Sequence, residues 1–120
     1  MNYNKLLLAG HLCADPELNY TAGGTAIATF SVAVNYTWHN AEKEKKEEVT
    51  FVNCKCFSGL GETITAHFTK GMPIFLEGRL VQESWNGKDG KKQYAMKMYV
   101  EKFQFCGGNK PKERDAGQEG

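Results

Sequence analysis

The sequence predicts an all-β fold, a five-stranded barrel with one short helix between the third and fourth strands. Two observations favour this architecture. Apolar and polar residues alternate with a period of two over five segments, and only one segment has the spacing of a helix. The 120 residues, of which 41% are hydrophobic, suffice for a single modest core without disulfide or metal staples.

Three strands are predicted before the helix, at residues 5–13, 25–35 and 49–57. In the second of them, Ala, Ala, Phe, Val and Val occupy alternate positions and therefore share one face. Aspartate, proline and glycine residues typical of turns separate the first two strands. The charged stretch 36–48 separates the second strand from the third, and we expect it to form a polar loop.

The only good helix candidate is the segment 60–69. Its apolar residues Leu60, Ile64 and Phe68 are spaced four apart and would therefore lie on one face of a helix. Ser58 is a residue type that caps helix starts, and Gly71 is suited to end the helix. We interpret this helix as an apolar plug for the core that carries no chemistry.

Two strands are predicted after the helix, at residues 73–81 and 94–105, joined by a long polar hairpin. From residue 107 the composition changes to glycine, proline and charged residues. We therefore expect one domain at residues 1–106 and a disordered polar tail at 107–120. Five strands with a helix between the third and fourth is the element order of the OB-fold, which often binds oligonucleotides.

Cysteine and histidine spacing argues against an enzyme or a metal site. Without a secretion signal the four cysteines are expected to be reduced, and the alternation directs Cys54 and Cys56 into the interior. The three histidines are scattered, and neither a spaced zinc set nor a nucleophile beside a base is present. We predict no catalytic activity and no metal.

The hydropathy pattern predicts a cytoplasmic protein that does not enter a membrane. The longest apolar run has only four residues, and the first residues do not form a signal peptide. The net charge is +1, and residues 1–106 carry 12 basic against 11 acidic side chains. Because a protein that holds nucleic acid by charge alone is usually far more basic, any such affinity here must depend on stacking.

Both tryptophans lie in hydrophilic stretches, Trp38 in the first predicted polar loop and Trp85 in the second. A large ring normally contributes by leaving water, so a sequence that only builds a core would not place both there. Rings on lysine-bearing loops suit a partner with flat π-faces and negative charge. Single-stranded nucleic acid offers both.

The third predicted strand presents a mixed face of Phe51, Asn53, Lys55 and Phe57, with small apolar residues on its other side. Two interpretations are open. The rings could be buried under a loop or at a subunit contact, or they could form a stacking platform with phosphate-directed donors between them. The two tryptophans, expected at the rim of the same face, favour the platform.

Separated motifs along residues 2–106 lie in unbroken register with one known family. They are Asn4-Lys5-Leu6-Leu7-Leu8-Ala9-Gly10-His11-Leu12, Asp15-Pro16-Glu17-Leu18-Asn19-Tyr20-Thr21, Gly24-Thr25-Ala26-Ile27-Ala28-Thr29-Phe30-Ser31-Val32-Ala33-Val34-Asn35, Phe57-Ser58-Gly59-Leu60-Gly61-Glu62-Thr63, Lys70-Gly71 and Glu77-Gly78-Arg79-Leu80. This set resembles the bacterial-type single-stranded DNA-binding proteins.

The resemblance implies a function and assigns roles to single residues. It implies that the rings of Trp38, Phe51, Phe57 and Trp85 stack on bases. The positions that match Lys5 and Lys70 are basic residues near the DNA path. The family implies a homotetramer wrapped by single-stranded DNA that acts in replication, recombination and repair, without catalysis or cofactor.

Three departures from the family pattern shape the expectations. The segment Phe51-Val52-Asn53 stands where members commonly have Trp-His-Arg, and Val81-Gln82-Glu83-Ser84 stands where they are usually rich in arginine and lysine. The chain also lacks the family's acidic C-terminal tip, so we do not expect it to recruit replication and repair enzymes through its C-terminus. A non-enzymatic replication adaptor or an RNA-binding OB module stays open as the alternative.

Overall fold

The computed structural model describes residues 1–106 and confirms an all-β barrel with one helix. Its elements, in chain order, are β1 (Leu6–Leu12), β2 (Glu17–Tyr20), β3 (Ala26–His39), β4 (Lys45–Phe57), α1 (Ser58–His67), β5 (Pro73–Asn86) and β6 (Lys92–Phe105). The short strand β2 was not predicted as a strand. It pairs with the start of β3, from Glu17 opposite Thr29 to Tyr20 opposite Ala26.

The sheet closes on itself through five strands. The strand order is β1-β5-β6-β4-β3-β2, and a further pairing between β1 and β3 completes the barrel. His11 and Leu12 of β1 lie opposite Ala33 and Val32 of β3 at this closure. Most neighbours are antiparallel, whereas β4 and β6 are parallel where they meet. The five closed strands form the predicted OB-fold barrel. Among the described residues, strand β2 pairs only with β3 and lies outside this ring.

The barrel interior is apolar and includes both cysteines of the third predicted strand. Cys54 and Cys56 are buried among Val32, Ile74 and Met98, as their alternation predicted. Helix α1 covers one end of this core with Ile64, and Phe68 follows directly after the helix; both side chains are buried. The interpretation of the helix as an apolar plug is therefore confirmed.

The predicted ends of the helix were wrong. The helix begins at Ser58, whose φ of 57° lies in the left-handed region, and Phe57 occupies the N-cap position without a side-chain cap bond. Ser58 is thus a residue of the turn that redirects the chain from β4 into α1. The helix ends at His67, and Gly71 (φ 88°) instead allows the later turn into β5.

The two expected polar loops are mostly strand. Strands β3 and β4 stay paired from Ile27 opposite Phe57 to His39 opposite Lys45, and β5 and β6 stay paired to Asn86 opposite Lys92. Both hairpins extend beyond the barrel, where water covers both faces. Their polar composition therefore reflects solvation of a two-stranded ribbon and not the absence of regular structure.

Several sequence expectations fall on the part of the chain outside residues 1–106. The predicted disordered tail at 107–120, and with it the expected lack of C-terminal recruitment, lies outside the described residues.

Within residues 1–106, the single helix is too short to cross a membrane. The same residues contain no cluster of histidine, cysteine and carboxylate side chains that could hold a metal.

Candidate nucleic-acid interface

One outer face of the barrel collects the residues that the sequence analysis singled out on the third predicted strand. Strand pairing and side-chain alternation place the odd-numbered residues of β3, β4, β5 and the β6 segment 93–99 on this face. We call it the outer sheet face. Its members used below are Thr29 and Ser31 of β3, Phe51, Asn53, Lys55 and Phe57 of β4, Arg79, Glu83 and Trp85 of β5, and Lys97 and Tyr99 of β6.

An open groove of about 390 Å³ crosses the outer sheet face. Lys55 and Lys97 line its basic end, and Asp15 and Glu17 line its acidic end. The Ser31 hydroxyl and the Asn53 side chain lie between them and are joined by a hydrogen bond of 3.2 Å. The groove therefore offers both hydrogen-bonding groups and a gradient of charge to a polar ligand.

Three aromatic side chains of the predicted site lie on this face. Phe51 is 66% exposed and Trp85 is 49% exposed, values unusual for rings in a domain that has a closed core. Phe57 is half-buried and packs against Tyr99, with ring centroids 5.1 Å apart and planes inclined by 59°. These rings offer flat apolar surface to a ligand on a rigid sheet.

Trp38 has a different position from the one expected. The ladder between β3 and β4 runs without a shift, and Trp38 lies opposite Lys46 on the side of the ribbon that carries Tyr36. The rings of Tyr36 and Trp38 are stacked, with centroids 5.8 Å apart. Trp38 therefore leaves the ribbon from the side opposite to Phe51, because the two differ in strand parity.

The cationic residue between the rings is held by a carboxylate. Lys55 Nζ lies 2.8 Å from Glu83 Oε2, and Lys97 Nζ lies 3.4 Å from Glu83 Oε1. The Tyr99 hydroxyl donates a hydrogen bond of 2.6 Å to Glu83 Oε2. We call these four residues the Glu83 cluster. It joins three strands of the outer sheet face, and its charged side chains are less exposed than the rings of Phe51 and Trp85.

The Glu83 cluster should make stability depend on acid. Hydrogen bonds from Lys55 and Tyr99 hold the pKa of Glu83 at about 2, below its ordinary value of 4.5. A carboxyl whose folded-state pKa is depressed stabilises the protein above its unfolded pKa and loses this contribution as the pH falls through its folded pKa. The contribution of Glu83 should accordingly fade between pH 4.5 and about 2.

We expect Glu83→Gln to lower the free energy of unfolding by about 1–2 kcal/mol at pH 7, the range for hydrogen bonds to a partly exposed charge. Because protonated glutamate and glutamine carry the same charge, the difference between variant and wild type should vanish as the pH approaches 2. Denaturant unfolding of both proteins from pH 7 to pH 2 measures this difference. A difference that does not change with pH would contradict the assignment.

The other predicted contact residues lie around the outer sheet face at different distances. Asn53 lies on it and borders the groove. Lys5 lies beside β1, where its Nζ is 2.6 Å from Glu77 Oε2, and this hydrogen bond raises the pKa of Lys5 and lowers that of Glu77. Lys70 is exposed in the turn before β5, where its backbone N–H donates to Asp15 Oδ1 at 2.8 Å. Lys70 is thus close to the acidic end of the groove.

The sequence analysis missed two residues of this face, Tyr99 and Lys97, and did not foresee what Glu83 contacts. Tyr99 connects Phe57, Glu83 and the Arg79 guanidinium, whose central carbon lies 5.5 Å from the Tyr99 ring centroid. A signal was present, because Lys97 and Tyr99 alternate with the apolar Met98 and Val100. A lysine and a ring that flank core positions indicate the outward face of a barrel strand.

Burial leaves the interior thiols without nucleophilic character. Desolvation raises the pKa of both Cys54 and Cys56 to about 12. A thiolate, which is the reactive form, is therefore almost absent at neutral pH.

The fold and the site together define an OB-fold barrel with rings and lysines on one open sheet face, a class in which many members bind oligonucleotides. Residues 3–106 match the model of the Single-strand binding protein family, and the chain belongs to that family.

Relatives in several bacteria agree with this family. The chain is 40% identical over 103 residues to a single-stranded DNA-binding protein of Clostridium perfringens, and this alignment covers 85% of the chain and 65% of the relative. It is 36% identical over 102 residues to that of Bacillus cereus, covering 85% and 59%. The chain thus aligns with about three fifths of the length of these relatives.

A solved structure shares the fold. The structure titled "Plasmodium falciparum SSB complex with ssDNA" superposes with a TM-score of 0.81 and covers 88% of this chain and 97% of that one. The two sequences are 20% identical.

Proposed function

We propose that this protein binds single-stranded DNA without sequence specificity, by stacking bases on the rings of the outer sheet face. The observation that carries the proposal is the exposure of Phe51 and Trp85 on the face that also holds the groove. Every base has a π-face, so stacking on such rings tolerates any sequence. Phe57, with Tyr99 beside it, would extend the surface toward the parallel junction of β4 and β6.

Charge supports a single-stranded ligand over a duplex. Bases of a duplex are already stacked on each other, so a duplex offers mainly phosphates to a flat protein face. The lysines nearest to the rings are paired with Glu83, and Lys5 is paired with Glu77. Phosphate contacts from Lys55, Asn53, Lys5 and Lys70 are therefore proposed as secondary to stacking.

The cellular role follows from the proposed ligand and from the family. We propose that residues 1–106 form a DNA-binding domain, that the protein acts as a cytoplasmic homotetramer, and that it covers single strands during replication, recombination and repair. Trp38 is proposed as a further stacking ring, on the side of the β3–β4 ribbon that also carries Tyr36. A strand that reaches it would have to cross the edge of the ribbon.

Tryptophan fluorescence tests the proposed ligand directly. We expect oligo-dT to quench the fluorescence strongly, because Trp38 and Trp85 are partly exposed and would stack on bases. A duplex of the same length should quench it little. Sedimentation of the same samples reports how many chains bind each strand. Absence of quenching by oligo-dT would instead favour an adaptor of the same fold, and equal quenching by RNA of matched sequence would favour an RNA-binding module.

A further inference from the structure

The Glu83 carboxylate occupies a distinctive place beside the groove. Across the outer sheet face the strands follow the order β5, β6, β4, β3. Glu83 lies on β5, Lys97 and Lys55 lie on β6 and β4, and the groove continues toward β3 and β2. Both lysines that line the basic end of the groove are therefore held from the side away from it, by one carboxylate.

The contacts of Glu83 are those that a phosphate would make. Each of its two oxygens forms an ion pair with a different ammonium group, that of Lys55 at 2.8 Å and that of Lys97 at 3.4 Å. The oxygen nearer to Lys55 also accepts a hydrogen bond of 2.6 Å from the Tyr99 hydroxyl. A DNA phosphate likewise presents anionic oxygens to ammonium and hydroxyl donors. The two anions consequently compete for the same donors.

We propose that Glu83 acts as an internal competitor of the DNA phosphate and thereby sets the affinity and the salt dependence of binding. This inference rests on the proposed function. The two lysines can contribute to phosphate binding only when their contacts with Glu83 weaken. Counterion release is then reduced, because ammonium groups that stay paired with a carboxylate neutralise fewer phosphates and so displace fewer condensed cations from the DNA.

Replacing the carboxylate by its neutral isostere tests the proposal. We expect Glu83→Gln to release one or both lysines, and the plot of log affinity against log salt for poly-dT to steepen by about 0.7–1.4, that is, about 0.7 per freed lysine. Over one decade of salt this slope corresponds to about 5- to 25-fold tighter binding relative to wild type at the low-salt end. Glu83→Ser, which removes the charge with a smaller side chain, should give the same steepening.

A charge-matched control separates the local effect from net charge. Glu62→Gln makes the same change in net charge on the exposed side of α1, where the Glu62 carboxylate accepts a hydrogen bond from Tyr20. It should leave the slope within about 0.3 of wild type, because none of the ion pairs among residues 1–106 includes Glu62 and an exposed charge is screened by salt. If both lysines are released, adding Lys55→Gln to Glu83→Gln should remove about half of the gain in slope.

The outcomes distinguish this inference from the proposed function. Binding of poly-dT by wild type, with a slope unchanged in both Glu83 variants, would overturn the inference and leave the proposed function intact. An equal steepening in Glu62→Gln would also overturn it, because net charge would then explain the effect. Lack of binding by wild type and by both variants would overturn the proposed function and the inference together.

Discussion

Phe51→Ala should weaken binding of single-stranded DNA by about 1–3 kcal/mol, or roughly 5- to 150-fold, without unfolding the protein. Phe51 has the most exposed ring of the outer sheet face, with 66% of its surface in water, so its removal opens no cavity in the core. The loss should be similar for poly-dT and for strands of mixed sequence, because stacking does not read base edges. Titration at two salt concentrations should give the same loss at both, since the ring carries no charge.

Tyr20→Ala is the matched control for this prediction. Its ring is 59% exposed, close to the value for Phe51, but it lies on β2 toward α1, where its hydroxyl contacts Glu62 at 3.2 Å. We expect less than a twofold change in DNA affinity for this variant. Equal losses in Phe51→Ala and Tyr20→Ala would show that exposed rings act without regard to the face on which they lie, against the proposed platform.

Phe68→Ala should lower the free energy of unfolding by about 3–5 kcal/mol, the range for deleting a buried phenylalanine side chain. Phe68 is 1% exposed and follows α1 into the core. Its ring stacks on Phe105 at a centroid distance of 4.8 Å and meets the edge of Phe103 at 5.4 Å. Deletion would leave a cavity between the helix and the end of β6.

Denaturant unfolding at one fixed protein concentration measures this loss, because assembly of chains would otherwise shift the apparent stability. Phe51→Ala serves as the control and should change the free energy of unfolding by less than about 0.5 kcal/mol. Loss of Phe68 should therefore affect mainly the stability of the fold, whereas loss of Phe51 should affect mainly the proposed DNA binding. A loss below about 1 kcal/mol for Phe68→Ala would contradict the packing described for it.

The position of the exposed rings on paired strands bears on the cost of the proposed stacking. A ring on a strand has few accessible orientations and loses little conformational freedom when a base stacks on it, whereas a ring on a flexible loop must first be ordered. Both hairpins that carry the tryptophans are paired almost to their tips. The proposed stacking surface is therefore largely preformed, which compensates in part for the low net charge of the chain.

Much of the fold was predictable from local patterns. Alternation predicted that Cys54 and Cys56 lie in the barrel interior, and a spacing of four predicted that Ile64 and Phe68 are buried. Alternation also placed Phe51, Asn53, Lys55 and Phe57 together on one outward face. These properties follow from the geometry of a single strand or helix, so the neighbours of each residue in the sequence suffice to determine them.

The helix ends and the extent of the strands were less predictable. Ser58 has the residue type of a cap, yet the close turn from β4 into α1 gives it a left-handed backbone and leaves the cap position to Phe57. The stretches around Trp38 and Trp85 have the composition of loops, yet they are strands because each has a partner strand at hand. In both cases tertiary pairing outweighs local preference.

The sequence by itself determined an OB-fold barrel, its core, and a strand face with two rings and a lysine. Only the tertiary structure decided what that lysine contacts. Lys55, Glu83, Lys97 and Tyr99 belong to three strands, and their meeting depends on the registers of β4 with β6 and of β5 with β6. Trp38 is on the opposite side of its ribbon from Phe51 for a similar reason, since continuous pairing fixes its parity. Contacts between distant segments depend on strand register, and register is set by the closed barrel as a whole.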